Sequence, residues 1–320
     1  MTAVPPPPPS PRKARLHRAY RTLRWLPVLL VVLGCVYALR RVDLHALGES
    51  LLTVRLWPLG LALCFSLLGV AVRSSYWWLL VRPVAAVPLR TMVAYGFAAA
   101  ATNVLPMRAG DALRVWLVSS RHGVSVAVTG AIIAIEKLSD ITSLLVLISP
   151  LPWLIPNLPK SVGDALRVLP CVVVAAMIAM VVASRHASRW RILSGFSVIR
   201  RPKLVLAGMT AVFLAWLCDV SSILSVLMAV HLTPTLEKAL LVILSVNIAI
   251  AVPVTPGQVG AHELGSTIAL ALVGVSEVQA IPFAILYHAV QLLPVLLIGL
   301  VIARHLSKDR DVRPEAPGAA

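Results

Sequence analysis

Charge is what this chain has least of. Asp, Glu, Lys and Arg make up only 13% of its 320 residues, and 59% are hydrophobic; an average soluble domain is roughly 25% charged. With a mean hydropathy of +0.89, that scarcity excludes a soluble globular protein. Cysteine is nearly absent too. Cys35, Cys64, Cys171 and Cys218 all lie in apolar runs and none forms a CxxC pair, so they read as small buried side chains and not as disulfides or thiolate ligands. No metal site and no cofactor is expected. There is no nucleophile elbow, HExxH, P-loop or dinucleotide fingerprint, and the segments between apolar runs are too short for a catalytic domain. No segment alternates with period two, which excludes a membrane barrel.

What is present is a set of long apolar runs. Those at about 25–39, 56–80, 125–154, 165–183, 204–230 and 278–303 approach or exceed the roughly 20 residues of a membrane-crossing helix. The fold class is therefore all-α, a polytopic membrane bundle of about six spans. The formal net charge of +16 would suggest nucleic acid in a soluble protein. Here the basic residues gather in the N-terminal tail, in the 185–203 loop and at the C-terminus, the pattern of the positive-inside rule. No nucleic-acid partner is expected. Residues 1–24 read as a proline-rich, basic cytoplasmic tail touching anionic lipid, residues 25–305 as one transmembrane domain, and 306–320 as a second disordered cytoplasmic tail. No A-x-A-like site follows the first apolar run, which reads as a retained helix.

Two further apolar regions, about 89–120 and 237–273, are broken in the middle by Pro, Gly and polar residues into halves of about 12–16 residues. Such halves are short for a full crossing. Irregular backbone at membrane depth survives only when buried in protein or lining water, so both regions read as re-entrant hairpins; full crossing, giving about eight to ten spans, is the alternative. The breaks correspond. Pro106 and Gly110 are followed by Gly-Val-Ser at 123–125 and by Glu136-Lys137; Pro256 and Gly260 are followed by Gly-Val-Ser at 274–276 and by Tyr287-His288. The spacing from tripeptide to polar pair is identical. In the topology set by the basic loops the hairpins enter from opposite faces. That implies an inverted repeat, one unit over about 56–155 and the other over about 204–303, the pattern of a transporter with a midplane site.

Charges inside a span cost about 2.5–3.5 kcal/mol each on the insertion scale and face a cavity or a partner. Glu136 falls about 16 Å along its helix, near the midplane, and shares a face with Asp140. Lys137 can neutralise one of the two carboxylates, and Arg108 or Arg114 the other. The set is either a structural ion-pair lock or a polar site for a charged headgroup. Asp111, just after Gly110, reads as an N-cap. The helix it opens would aim free N–H groups at an anion, with Arg108 and Arg114 adding phosphate contacts or else snorkelling to the interface. The second break offers Gln258, His262 and Glu263. Arg73 and Asp219 are further intramembrane charges, Arg73 within reach of the cytoplasmic interface; they could pair with each other, though nothing in the sequence shows it.

The stretches "NVLPMRAGDALR", "EKLSD" and "PVTPGQVGAHE", followed by "YH", resemble the flippase-like membrane domain of the lysylphosphatidylglycerol synthases over about residues 20–305. The matching residues are Asn103, Pro106, Arg108, Gly110, Asp111 and Arg114, then Glu136, Lys137 and Asp140, then Pro253, Pro256, Gly257, Gly260, Glu263 and Tyr287. Two residues depart from the family pattern. Gln258 stands where a second glycine is usual. His288 replaces the more usual arginine and puts there a charge that follows pH.

The resemblance implies a stand-alone membrane member without the soluble synthase domain. It implies lipid translocation, the partners being membrane lipids with anionic or zwitterionic headgroups, in a bacterial inner membrane with both termini cytoplasmic. Asn103, Arg108, Asp111, Arg114, Glu136, Lys137, Asp140, His262, Glu263, Tyr287 and His288 are the expected headgroup-binding residues, with no catalytic residue among them. Two other readings remain open: an intramembrane enzyme acting on a lipid headgroup, and a scaffold for a membrane glycosyltransferase or lipid synthase.

Overall fold

The computed structural model describes residues 48–49, 52–104, 109–156, 158, 160–186, 202–251 and 256–311. The expected first span, the 187–201 part of the basic loop, the N-terminal tail, residues 312–320, Pro106, Arg108 and Pro253 lie outside the described residues; residues 306–311, expected in the disordered C-terminal tail, instead continue the last helix. Among those residues the chain is helical, without strands. Nine helices run α1 (Leu56–Val81), α2 (Leu89–Thr102), α3 (Ala109–His122), α4 (Val126–Ile148), α5 (Lys160–His186), α6 (Pro202–Ala229), α7 (Leu236–Ala249), α8 (Ala261–Leu272) and α9 (Glu277–Asp311). A single helical turn, Leu151–Leu154, follows α4, and one 3₁₀ turn, Pro256–Gln258, precedes α8.

Among the described residues, three stretches are long and apolar enough to cross a membrane: Leu56–Val81, Leu206–Ala229 and Glu277–His305. They carry bulky apolar side chains on their outer faces, such as Leu56, Leu206 and Leu297, which suits a lipid environment and not water. Their inner faces mix large buried side chains, such as Trp77, Leu227 and Phe283, with small and polar ones. Along α1, Ala62, Ser66 and Gly69 are buried. Ser66 donates to the Val290 carbonyl at 3.3 Å, and Ser222 of α6 donates to the Ala62 carbonyl at 3.1 Å. Small residues let helix backbones approach and their hydroxyls bond across the contact, the usual device of membrane bundles.

Both broken regions open into pairs of short helices, α2 and α3 (14 residues each), then α7 and α8 (14 and 12). The first pair is a hairpin. Asn103 and Gly110 meet at its tip, and Tyr95 and His122 meet further down, with the Tyr95 hydroxyl 3.2 Å from His122 Nε2. Each pair ends at a left-handed glycine, Gly123 (φ 68°) or Gly274 (φ 78°), before the long helix α4 or α9 begins. These are the two Gly-Val-Ser sites. Ser125 caps α4 through the Val128 amide.

The tips themselves touch. The Gly257 amide donates to the Val104 carbonyl at 2.7 Å, so one break is hydrogen-bonded to the other. Helix α9 packs along both α2 and α8, which brings the long helix of the second half against the hairpin of the first.

Candidate functional site

A cavity of about 360 Å³ opens between α1, the first hairpin, α4 and α6. Its charged lining is brought together from four helices. Arg114 of α3 donates through Nη1 to both carboxylate oxygens of Glu136 on α4, at 2.8 and 2.9 Å. Its Nη2 donates to Asp111 at 2.5 Å. The other Asp111 oxygen takes Lys137 Nζ at 3.1 Å. Arg114 also lies over the Trp77 ring, 5.1 Å from its centroid. A guanidinium forked onto carboxylates is the strong form of ion pair, and with Arg114 and Glu136 both buried it leaves neither charge bare.

The second network was less legible. Arg73 of α1 donates to Asp140 of α4 at 2.5 Å and to Asp219 of α6 at 2.6 Å, over the face of Trp216. Arg73 therefore turns inward and does not snorkel to the interface. The Trp216 indole N–H donates to the Asp140 backbone carbonyl at 3.3 Å, and the Tyr76 hydroxyl donates to Ser139 at 2.8 Å. The expected pairing of Lys137 with Glu136 or Asp140 does not form. Asp111 reaches Lys137 from the facing hairpin, and Arg73 and Arg114 take the two α4 carboxylates.

Asp111 is also not the cap of α3. The helix begins two residues earlier, at Ala109, and Asp111 sits in its first turn with its oxygens committed to Arg114 and Lys137. The capping oxygen comes from Asn103, whose Oδ1 accepts from the Gly110 amide at 3.0 Å. Gly110 is required there, since a Cβ would run into the Ala99 carbonyl.

The second break builds a different cluster. Glu263 Oε2 accepts from the amide of Gly260, the residue just before α8, at 2.7 Å, as Asn103 Oδ1 accepts from Gly110 in the first turn of α3. Glu263 Oε1 lies 2.6 Å from His288 Nδ1, and His288 Nε2 lies 2.9 Å from the Gly257 carbonyl. His262 stacks on His288 at 4.4 Å between centroids and tilts against Tyr287 at 4.9 Å. These four residues do not line the cavity. Besides Val212, Trp216 and Asp219 of α6, the cavity takes Ile250, Gln258 and Gln291 from the second half, and Gln291 links to the cluster by donating to the Tyr287 hydroxyl at 3.1 Å.

Sequence reasoning missed Gln291, Trp77 and Trp216. A signal for the α1 side was present: Ser66, Gly69, Arg73 and Tyr76 recur at helical spacing and all four line the cavity. Four carboxylates, Asp111, Glu136, Asp140 and Asp219, face three cations, Arg73, Arg114 and Lys137, which leaves the described lining with a formal charge of −1. Lys137 has the most open side chain of this set, at 42% exposure.

A family model described as "Lysylphosphatidylglycerol synthase TM region" matches residues 24–299. No curated protein matches the chain.

Proposed function

The chain belongs to the lysylphosphatidylglycerol synthase TM region family, and on that premise we propose that it moves a lipid headgroup between the leaflets of a membrane, as a flippase or transporter. The observation that carries this reading is the charged cavity beside two broken-helix tips that hydrogen-bond to each other at Gly257 and Val104. Discontinuous helices around a polar cavity are the usual architecture of transporters with a midplane site. In this reading the two broken regions and their long helices form an inverted repeat, six helices span a bacterial inner membrane, and both termini are cytoplasmic.

The charge balance refines the headgroup. Arg73 and Arg114 each hold two carboxylates and Lys137 holds only Asp111, so an incoming phosphate finds Lys137 as the most exposed cation of the described cavity lining. The carboxylate excess suits a headgroup that carries an amine. A zwitterionic lipid satisfies both, its amine toward Asp140 and Asp219 and its phosphate toward Lys137.

Purified protein reconstituted in liposomes tests the reading. Acyl-chain-labelled NBD-phosphatidylethanolamine and NBD-phosphatidylglycerol are followed by dithionite quenching. Accelerated movement that Arg114→Ala and Glu136→Gln abolish supports it. Folded protein that accelerates neither lipid, nor a glycosylated lipid, rules it out.

A further inference from the structure

His288 stands between two acceptors. The Gly257 carbonyl at Nε2 can only accept, so Nε2 must carry a hydrogen. At Nδ1 the neighbour is a carboxylate oxygen, and a 2.6 Å contact between a bare ring nitrogen and a bare carboxylate would set lone pair against lone pair. One more proton has to lie between Glu263 and His288, on whichever of the two holds it. A neutral histidine and an ionised glutamate carry only one proton together. The geometry requires two.

We propose that the Glu263–His288 pair is a proton-binding site, and that its proton holds the two breaks in contact. The link is continuous. Glu263 Oε2 takes the Gly260 amide, Oε1 faces His288 Nδ1, Nε2 donates to the Gly257 carbonyl, and the Gly257 amide donates to Val104 of the other break. When the proton leaves, either the Glu263 contact or the Gly257 contact loses its hydrogen, and the 3₁₀ turn at Pro256–Gln258 loses its hold on α9. His288 itself is buried, but the Glu263 side chain is 29% exposed, which gives the proton a route in and out.

The surrounding groups assign the proton to this pair. From α8, Glu263 and His262 face His288. His262 is stacked 4.4 Å away and its buried Nδ1 has no hydrogen-bond partner, so a second positive charge there would meet the first without a counter-ion. On α9 itself Tyr287 is adjacent. Asp219 of α6 and Arg73 of α1 bear on Tyr287, and they are already paired with each other. Where α2 meets α9 at Gly299 it presents Phe97 and Ala101. Glu263 is the one carboxylate in contact with the His288 ring among the described residues.

Coupling of this proton to lipid movement rests on the function proposed above; the proton site itself does not. Hydrogen–deuterium exchange of the Gly257 amide in the full-length reconstituted protein reads the contact directly. After correction for intrinsic rates, protection falls about tenfold or more between about pH 5 and pH 9 as one charge-assisted hydrogen bond is lost. His288→Arg supplies permanent donors and keeps the amide protected across the range; His288→Gln leaves it weakly protected throughout. Wild-type protection that stays flat overturns the proposal, as does a His288→Arg protein that titrates like wild type. If the amide titrates while no labelled lipid moves, the proton site stands and the transport reading fails. If lipid moves while protection stays flat, the reverse holds.

Discussion

Arg73 and Asp219 are 146 residues apart in the chain, and Arg73 Nη2 donates to Asp219 Oδ2 at 2.6 Å. That bond, with the 2.5 Å bond from Arg73 to Asp140, ties α1, α4 and α6 around one guanidinium. Removing the arginine would leave two carboxylates facing one another beside Trp216. Arg73→Leu is expected to destabilise the protein by roughly 3 kcal/mol, at the lower end for a broken buried pair because the Arg73 side chain keeps some exposure. Asp219→Asn, which retains a polar partner, should cost less. Thermal unfolding in detergent ranks the two variants.

The Arg114 guanidinium forks onto two carboxylates, Glu136 through Nη1 and Asp111 through Nη2, and that contact depends on shape as well as charge. The single ammonium nitrogen of lysine cannot stand at both the Nη1 and the Nη2 positions, so Arg114→Lys should recover little of what Arg114→Ala loses. A double-mutant cycle with Arg114→Ala and Glu136→Ala should return a coupling of roughly 1–3 kcal/mol. A coupling near zero would mean that the two side chains act independently.

Asn103 and Gly110 hold the first tip by different means. Asn103→Ala removes a cap and should cost about 1 kcal/mol, and Asn103→Asp should restore most of it. Gly110→Ala forces a methyl group into the Ala99 carbonyl and should cost roughly 1–3 kcal/mol. Denaturant midpoints on purified protein compare the three.

Lys137 is the adjustable charge of the cavity. Lys137→Gln deepens the carboxylate excess by one unit. In the transport reading it should slow NBD-phosphatidylglycerol more than NBD-phosphatidylethanolamine, with fold and stability nearly unchanged because a pair this exposed contributes about 0–1 kcal/mol. Equal slowing of both lipids would remove charge selection from the account.

The breaks were legible because proline, glycine and polar residues stop apolar runs at fixed places, and helical spacing put Glu136 and Asp140 on one face. The spans corresponding to α1, α6 and α9 were legible from length and hydropathy. The ion-pair partners were not. Periodicity tells which way Arg73 points along its own helix but not which helix stands opposite, and Asp140 and Asp219 arrive from 67 and 146 residues away. Asp111 was misread for a related reason. Its position after Gly110 fits a cap, but the helix already runs from Ala109 and the Asp111 oxygens go to Arg114 and Lys137. The separation of the Glu263–His288 cluster from the cavity depends on how α9 lies along α2, which no local pattern encodes.

The two departures from the family pattern meet at one peptide group. Gln258 occupies a left-handed conformation, φ 63°, which costs a residue with a side chain roughly 1–2 kcal/mol relative to glycine, and the peptide leading into it carries the Gly257 oxygen that His288 holds. Flipping that peptide would relax Gln258 and break the His288 bond in the same motion. The tip is thus a loaded catch, with Gln258 pushing it toward release and the His288 proton keeping it shut. A glycine at 258 would unload the spring, and an arginine at 288 would weld the latch.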